Sequence, residues 1–220
     1  MQASITNHNL SVSLLSGLAP RLLLCVFYSA SSEYLTLHVM IKTPESTRIL
    51  ITGGAGFVGT AIVSAIIQTH PEWRVTVADV RPEEEWKSPD HPTVDYVQLD
   101  VRKAEECYNA IELIEPHVVV HSAGTVPGIS VRYGRNPVVQ HNVTKLNVNG
   151  TANMLEAAKE NRVPNFLFTS SCTVLSDDLD HDYPNMTEDL PIPSKSLMYG
   201  ESKVAIDSAG ASNATVLIIL

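Results

Sequence analysis

Residues 48–68 hold the feature that most narrows the folds open to this chain. A short apolar run, Ile49-Leu50-Ile51, breaks into Thr52-Gly53-Gly54-Ala55-Gly56-Phe57-Val58-Gly59, and helical apolar spacing follows from Phe57 to Gln68. The turn satisfies both G-x-x-G-x-x-G (Gly53, Gly56, Gly59) and G-x-G-x-x-G (Gly54, Gly56, Gly59). Glycines so spaced allow a tight strand-to-helix turn and a close backbone approach to a pyrophosphate. The helix N-terminus then offers N–H groups and a positive dipole to the phosphates. The spacing alone is a weak signal; its place between a strand and a helix gives it weight. Asp79 closes the second apolar run, where a carboxylate can accept hydrogen bonds from an adenosine ribose and repel a 2′-phosphate. That favours NAD over NADP, with Arg81 two residues on as a group that tolerates the phosphate.

Further along, short apolar runs alternate with helical stretches. The pattern predicts strands at Ile49–Ile51, Arg74–Val80, Tyr96–Val101, Val118–Val120, Phe166–Phe168 and Val216–Leu220. It predicts helices over Ala104–Ile114, stopped by Pro116, and over Val138–Glu160. Continuously apolar strands joined by helices of 10–20 residues mean βαβ units with both sheet faces covered. The expected fold is therefore α/β, a doubly wound parallel sheet of six strands occupying residues 46–220.

Residues 1–45 read as an extension without regular structure. Arg21 before the apolar run Leu22–Phe27 suggests a targeting segment, but the run lies far from Met1 and residues 1–20 carry no Lys or Arg. Arg21 also splits the longest stretch that could enter a membrane. With 15 Lys+Arg against 24 Asp+Glu, the net charge of −9 argues against a nucleic-acid partner. Three scattered cysteines, Cys25, Cys107 and Cys172, make neither a disulfide framework nor a metal site and point to a reducing compartment.

Tyr199-Gly200-Glu201-Ser202-Lys203 sets a phenol and an ammonium four residues apart, on one face of a helix. A phenol titrates near 10 when free, so it needs a nearby cation to act as a base at neutral pH. Ser171, in the Thr169-Ser170-Ser171 triplet that ends the fifth strand, completes a candidate Ser-Tyr-Lys site. Ser170 is the alternative, one residue away.

Taken together, residues 48–203 resemble an extended short-chain dehydrogenase/reductase. The likeness rests on the glycine turn, Asp79, Leu99-Asp100-Val101, His121-Ser122-Ala123-Gly124, Asn147-Val148-Asn149-Gly150-Thr151, the T-S-S triplet and Tyr199–Lys203. Within that superfamily the chain is most similar to the 3β-hydroxysteroid dehydrogenase and sterol-4α-carboxylate 3-dehydrogenase group, on the triplet and Glu188–Pro193. The resemblance implies that Gly53, Gly54, Gly56, Phe57, Val58, Gly59, Asp79, Asp100, Val101, Ala123 and Gly124 hold NAD, Asp100 at the adenine. It implies that Asn147 braces the site, Ser171 bonds the reacting oxygen, Tyr199 is the acid/base and Lys203 holds the nicotinamide ribose. It implies a sterol or steroid substrate, and a place in the cytoplasm or at the cytoplasmic face of the endoplasmic reticulum rather than outside the cell. A homodimer and contact with a membrane stay open. Sugar-nucleotide epimerases share these motifs, and a non-catalytic NAD-binding remnant is a third reading. The family builds most of its substrate pocket after the sixth strand, so the substrate domain is expected to be largely missing here.

Several groups carry no expected chemistry. His117 and His121 stand about 13 Å apart if both lie on one strand, too far for one metal. They read as structural histidines at the two ends of that strand. Glu83–Glu85 and the acids at 177, 178, 180 and 182 read as solvated, and Cys172 lacks a neighbouring base.

Overall fold

In the computed structural model, residues 46–86, 90–128, 136–176 and 196–209 are described, with strand segments inside 2–42 and residues 217–218. Strands β1 (Gln2–Asn7), β2 (Leu10–Leu15), β3 (Arg21–Leu22), β4 (Leu24–Tyr28) and β5 (Ile41–Lys42) precede the glycine turn. β1, β2 and β4 form an antiparallel sheet of their own, and β3 pairs with β5. Irregular chain was expected here; the alternation in Leu10-Ser11-Val12-Ser13-Leu14 is the strand signal these residues carry.

The main sheet is parallel throughout. β6 (Arg48–Thr52), β7 (Arg74–Asp79), β8 (Val94–Gln98), β9 (Val118–His121) and β10 (Asn165–Phe168) make its body, and β11 (Leu217–Ile218) adds two residues at one edge. The order is β11-β10-β9-β6-β7-β8. Successive strands run outward from β6 in opposite directions, so a crevice opens beyond the carboxyl ends of β6 and β9, where ligands bind in such sheets.

Side-chain alternation divides the core into two layers. Ile49 and Ile51 face Val75, Val77, Val118 and Val120 and the helix α1 (Phe57–Thr69), through Ile62, Val63 and Ile66. Leu50 and Val119 face the other way, with Phe166 and Phe168, onto helix α2 (Ala104–Ile114) and the later helix that bears Met154 and Ala157. A strand buried on both faces is apolar on both, which is why β6 and β9 carry the aliphatic runs Ile49–Ile51 and Val118–Val120.

Boundaries differ from the sequence reading in two informative places. The third strand ends at Gln98, because Asp100 turns the chain: its carboxylate accepts the Arg102 N–H at 3.0 Å, an Asx-type turn that competes with the ladder. The long helix starts as α3 (Pro137–Val143), capped by Asn136, whose side chain accepts from the N–H groups of Val138 and Val139. It then passes through a π-turn at Thr144–Asn149 before resuming as α4 (Gly150–Glu160). The π-turn is invisible to apolar periodicity. A short helix α5 (Thr173–Ser176) follows β10, and α6 (Met198–Ala209) carries Tyr199 and Lys203. Glu83–Glu85 form one exposed 3-10 turn. Glu188–Pro193, Gly134 and the acids between 177 and 182 lie outside the described residues.

Candidate functional site

A cavity of about 630 Å³ opens at the carboxyl ends of β6, β7, β9 and β10. One side is the glycine turn. Gly53 has φ +66°, and a Cβ there would stand 2.7 Å from the Ala123 backbone, so no other residue fits this close approach. Gly59 is fixed by the backbone of Gly53 and Gly54, against which any side chain would collide. Gly56 caps α1 with no side-chain hydrogen bond, and the first turn of α1 carries no acidic residue. A helix start so arranged suits an anion. Gly53, Gly56, Phe57, Val58 and Gly59 line the cavity, whereas Gly54 does not: it faces Val77 and spaces the turn from β7.

The next wall is charged and paired. Asp79, buried, accepts from the Arg81 backbone N–H at 3.2 Å, from Nε at 3.1 Å and from Nη2 at 3.3 Å. This bonding raises the Arg81 pKa. Asp100 repeats the device, accepting Arg102 Nε at 2.8 Å and Nη2 at 2.7 Å. The Arg102 hydrogen bond is the main cause holding the Asp100 carboxyl below its usual range. Both pairs and Val101 line the cavity. The sequence marked the two acids; the two arginines that engage them carry the same i+2 spacing.

The far wall holds a buried cation. Lys203 is buried, its Nζ donating to the Thr169 carbonyl at 2.8 Å. That ammonium stands 4.7 Å from the Phe168 ring centre and 5.7 Å from that of Tyr199. Carbonyl and π faces can hold a desolvated cation without neutralising it. Ala123, Gly124 and Tyr199 complete this wall. Asn147 sits behind it: its Oδ1 accepts the Thr125 N–H at 2.8 Å, and its Nδ2 donates to the Thr125 carbonyl at 3.0 Å and to Ser202 Oγ at 3.2 Å. Ser202 in turn donates to the Tyr199 carbonyl at 2.7 Å.

The serine doublet divides its roles. Ser170 lines the cavity, and its buried hydroxyl has no hydrogen-bond partner among the described residues. Ser171, the residue expected on the cavity, instead starts α5: its hydroxyl accepts the Thr173 N–H at 3.3 Å and its carbonyl accepts from Val174. A serine just before a helix is drawn into capping, which a reading by strand end alone overlooks.

His121 is fully buried and bonded on both ring nitrogens, to Thr52 Oγ1 at 2.7 Å and Thr151 Oγ1 at 2.9 Å. Burial first, and the Lys203 charge second, push its pKa down to about 3. His117 accepts the Arg48 N–H at 3.1 Å at the other end of β9. The two histidines thus tie the ends of one strand. Thr52, Thr151 and Ser202 stand inside the quoted motifs without an expected role, and Thr125 lies outside them. The one available signal was a polar residue, His121, at the end of an otherwise aliphatic strand.

A model of the 3-beta hydroxysteroid dehydrogenase/isomerase family matches residues 50–215. The chain belongs to that family. It is 30% identical over 166 residues to sterol-4-alpha-carboxylate 3-dehydrogenase, decarboxylating, of Candida albicans, which covers 73% of this chain and 44% of that protein. It is 33% identical over 147 residues to human 3 beta-hydroxysteroid dehydrogenase type 7, covering 64% and 37%. The chain thus spans less than half the length of these relatives. Among solved structures, Thermus thermophilus UDP-glucose 4-epimerase in complex with NAD superposes with TM-score 0.59 at 25% identity, over 74% of this chain and 49% of that one. Bordetella bronchiseptica WbmH with NAD+ gives TM-score 0.64 at 21% identity, over 79% and 55%, a likeness of fold. Among the described residues no helix is long and apolar enough to cross a membrane.

Proposed function

We propose that this member of the family is an NAD-dependent oxidoreductase that converts the secondary alcohol of a 3β-hydroxysteroid or sterol carboxylate to a ketone. The observation that carries the reading is the meeting, in one cavity, of the glycine-turned helix start with Tyr199 and the buried Lys203. The cradle fits the dinucleotide: Gly53 and Gly59 leave backbone where a Cβ would intrude, and α1 begins without an acid. Gly53, Gly56 and the first turn of α1 would take the pyrophosphate, Asp79 the adenosine ribose, and Asp100 and Val101 the adenine. NAD, when bound, supplies the acceptor for the hydride leaving the carbinol carbon.

This chain's residues handle the proton and the geometry. Tyr199 takes the hydroxyl proton, and the Lys203 ammonium favours the phenolate by charge. A serine hydroxyl bonds the reacting oxygen; Ser170 is the member of the doublet that lines the cavity. Asn147 holds the Thr125 loop and, through Ser202, the helix bearing Tyr199. If a carboxylate neighbours the new ketone, the resulting β-keto acid loses CO2 without another protein group. Asp79 favours NAD over NADP, tempered by its pairing to Arg81.

The likeness to a UDP-glucose epimerase supports a second reading, a sugar-nucleotide substrate. One experiment separates them. The chain is titrated with NAD calorimetrically, then given a 3β-hydroxysteroid, a sterol 4α-carboxylate or a UDP-hexose while NADH formation and product are followed. Oxidation of a sterol supports the proposal, and turnover of the UDP-hexose alone replaces it with the second reading. NAD binding with no turnover makes the chain a dinucleotide-binding protein only.

A further inference from the structure

The hydrogen-bond directions around His121 can be read without ambiguity. Thr151 Oγ1 donates its single proton to the Asn147 carbonyl at 2.6 Å. It must therefore accept at its contact with His121 Nε2, which makes Nε2 the protonated nitrogen. Nδ1 is then an acceptor, and Thr52 Oγ1 donates to it at 2.7 Å. A directed chain results, from Thr52 at the end of β6, through His121 at the end of β9, to Thr151 on α4 and the Asn147 carbonyl. Thr52, His121, Asn147 and Thr151 are all buried, so each bond is made away from water, where leaving a partner unpaired is costly.

The chain ends where the helix changes register. Gly150 N–H reaches back five residues to the Lys145 carbonyl, the bond of a π-turn. A hydroxyl that bonds the carbonyl four residues earlier competes with the α-helical N–H for that carbonyl and bends the helix. Gly150 lets this widened turn approach the turn at Asp100–Arg102, since a Cβ there would stand 2.8 Å from the Val101 side chain. The consequence appears one residue type away from the chemistry. The Asn147 side chain, leaving the π-turn, pairs with both backbone groups of Thr125 and reaches Ser202.

We infer that Thr151 and His121 are positioning residues. Their directed hydrogen bonds hold the π-turn open, and the π-turn fixes the Asn147 amide that ties the cavity loop at Gly124–Thr125 to the helix of Tyr199 and Lys203. The effect on cofactor rests on the proposed function, because that loop lines the cavity taken to hold NAD. The effect on Asn147 does not.

The test compares Thr151→Val, which keeps shape and removes the hydroxyl, with Thr151→Ser, which keeps the hydroxyl. Circular dichroism checks folding, NMR measures solvent exchange of the Asn147 side-chain amide, and calorimetry measures NAD binding. Thr151→Val is expected to speed amide exchange and weaken NAD binding about tenfold, the scale of one lost buried hydrogen bond. Thr151→Ser is expected to restore both to within about twofold of the native chain, by the same reasoning. Unchanged amide exchange in folded Thr151→Val overturns the inference. Fast amide exchange without NAD binding by the native chain overturns the cofactor reading alone. Should Thr151→Val fail to fold, the nitrogen shifts of His121 in the native protein decide: a neutral ring protonated at Nε2 is expected, and protonation at Nδ1 contradicts the chain.

Discussion

The two ends of the cavity hold charge in opposite ways. At the end proposed to take the adenosine, Asp79 and Asp100 are each held by the half-exposed side chain of an arginine two residues later. At the reaction end, Lys203 is buried against a carbonyl and two rings, with an uncharged network of Asn147, Thr125 and Ser202 behind it. The first arrangement is local, solvent-screened and adjustable. The second brings several elements together around a buried cation, whose charge is screened by water less than that of the half-exposed arginines. The proposed binding and chemistry thus fall in different electrostatic regimes within one crevice.

Breaking the reaction end should have the largest effect. Lys203→Met replaces a buried ammonium by an apolar chain of similar length. Alcohol oxidation is expected to fall at least ~100-fold, the lower range for loss of assistance to an acid/base. Thermal stability is expected to fall by no more than about 1–3 kcal/mol, the scale of leaving the Thr169 carbonyl without its donor. Steady-state kinetics and a melting curve check both; a large loss of stability would mean that Lys203 is structural.

The buried histidine gives the next effect. The folded pKa of His121 is near 3, below the ordinary 6.5. Above pH 6.5 the ring is neutral in both states and the fold has its full stability. As the pH falls from 6.5 towards 3 the unfolded chain gains a proton that the folded chain refuses. Stability should therefore drop, by at most roughly 1.4 kcal/mol per pH unit from this group, and level off below 3. Denaturant titrations at pH 7 and 5 measure the fall, and His121→Gln should reduce it.

Third, Ser170→Ala should lower turnover roughly tenfold, while Ser171→Ala should act mainly on stability, as a lost helix cap of about 1 kcal/mol. The reverse order would return the reacting-oxygen role to Ser171. Smallest is the adenosine end: Arg102→Ala should change stability by less than about 1 kcal/mol, as for half-exposed ion pairs, and less still at high salt.

This division also explains what could be read from sequence. The glycine turn, Asp79, Asp100 and Tyr199–Lys203 depend on spacings within one strand-turn-helix or one helical face, so they are visible in a linear string. The aliphatic runs of β6 and β9 announce a parallel sheet for the same reason. The contacts Thr52–His121, His121–Thr151, Asn147–Thr125 and Asn147–Ser202 join residues 69, 30, 22 and 55 positions apart. No periodicity marks such polar partners. The π-turn is not legible because Thr144–Asn149 holds only two apolar residues, Leu146 and Val148, too few to show a shift of phase. Ser170 lines the cavity while Ser171 bonds the Thr173 N–H, because capping, not strand alternation, decides where the second hydroxyl goes.

The central claim is that Tyr199 carries the proton at the reaction end while the glycine turn and Asp79 hold the cofactor. Measuring NAD affinity and sterol oxidation side by side in Tyr199→Phe tests it most directly. The account predicts NAD binding within about twofold of the native chain, since the ring and its packing remain, and oxidation reduced by at least ~100-fold. Oxidation at the native rate by Tyr199→Phe would contradict it.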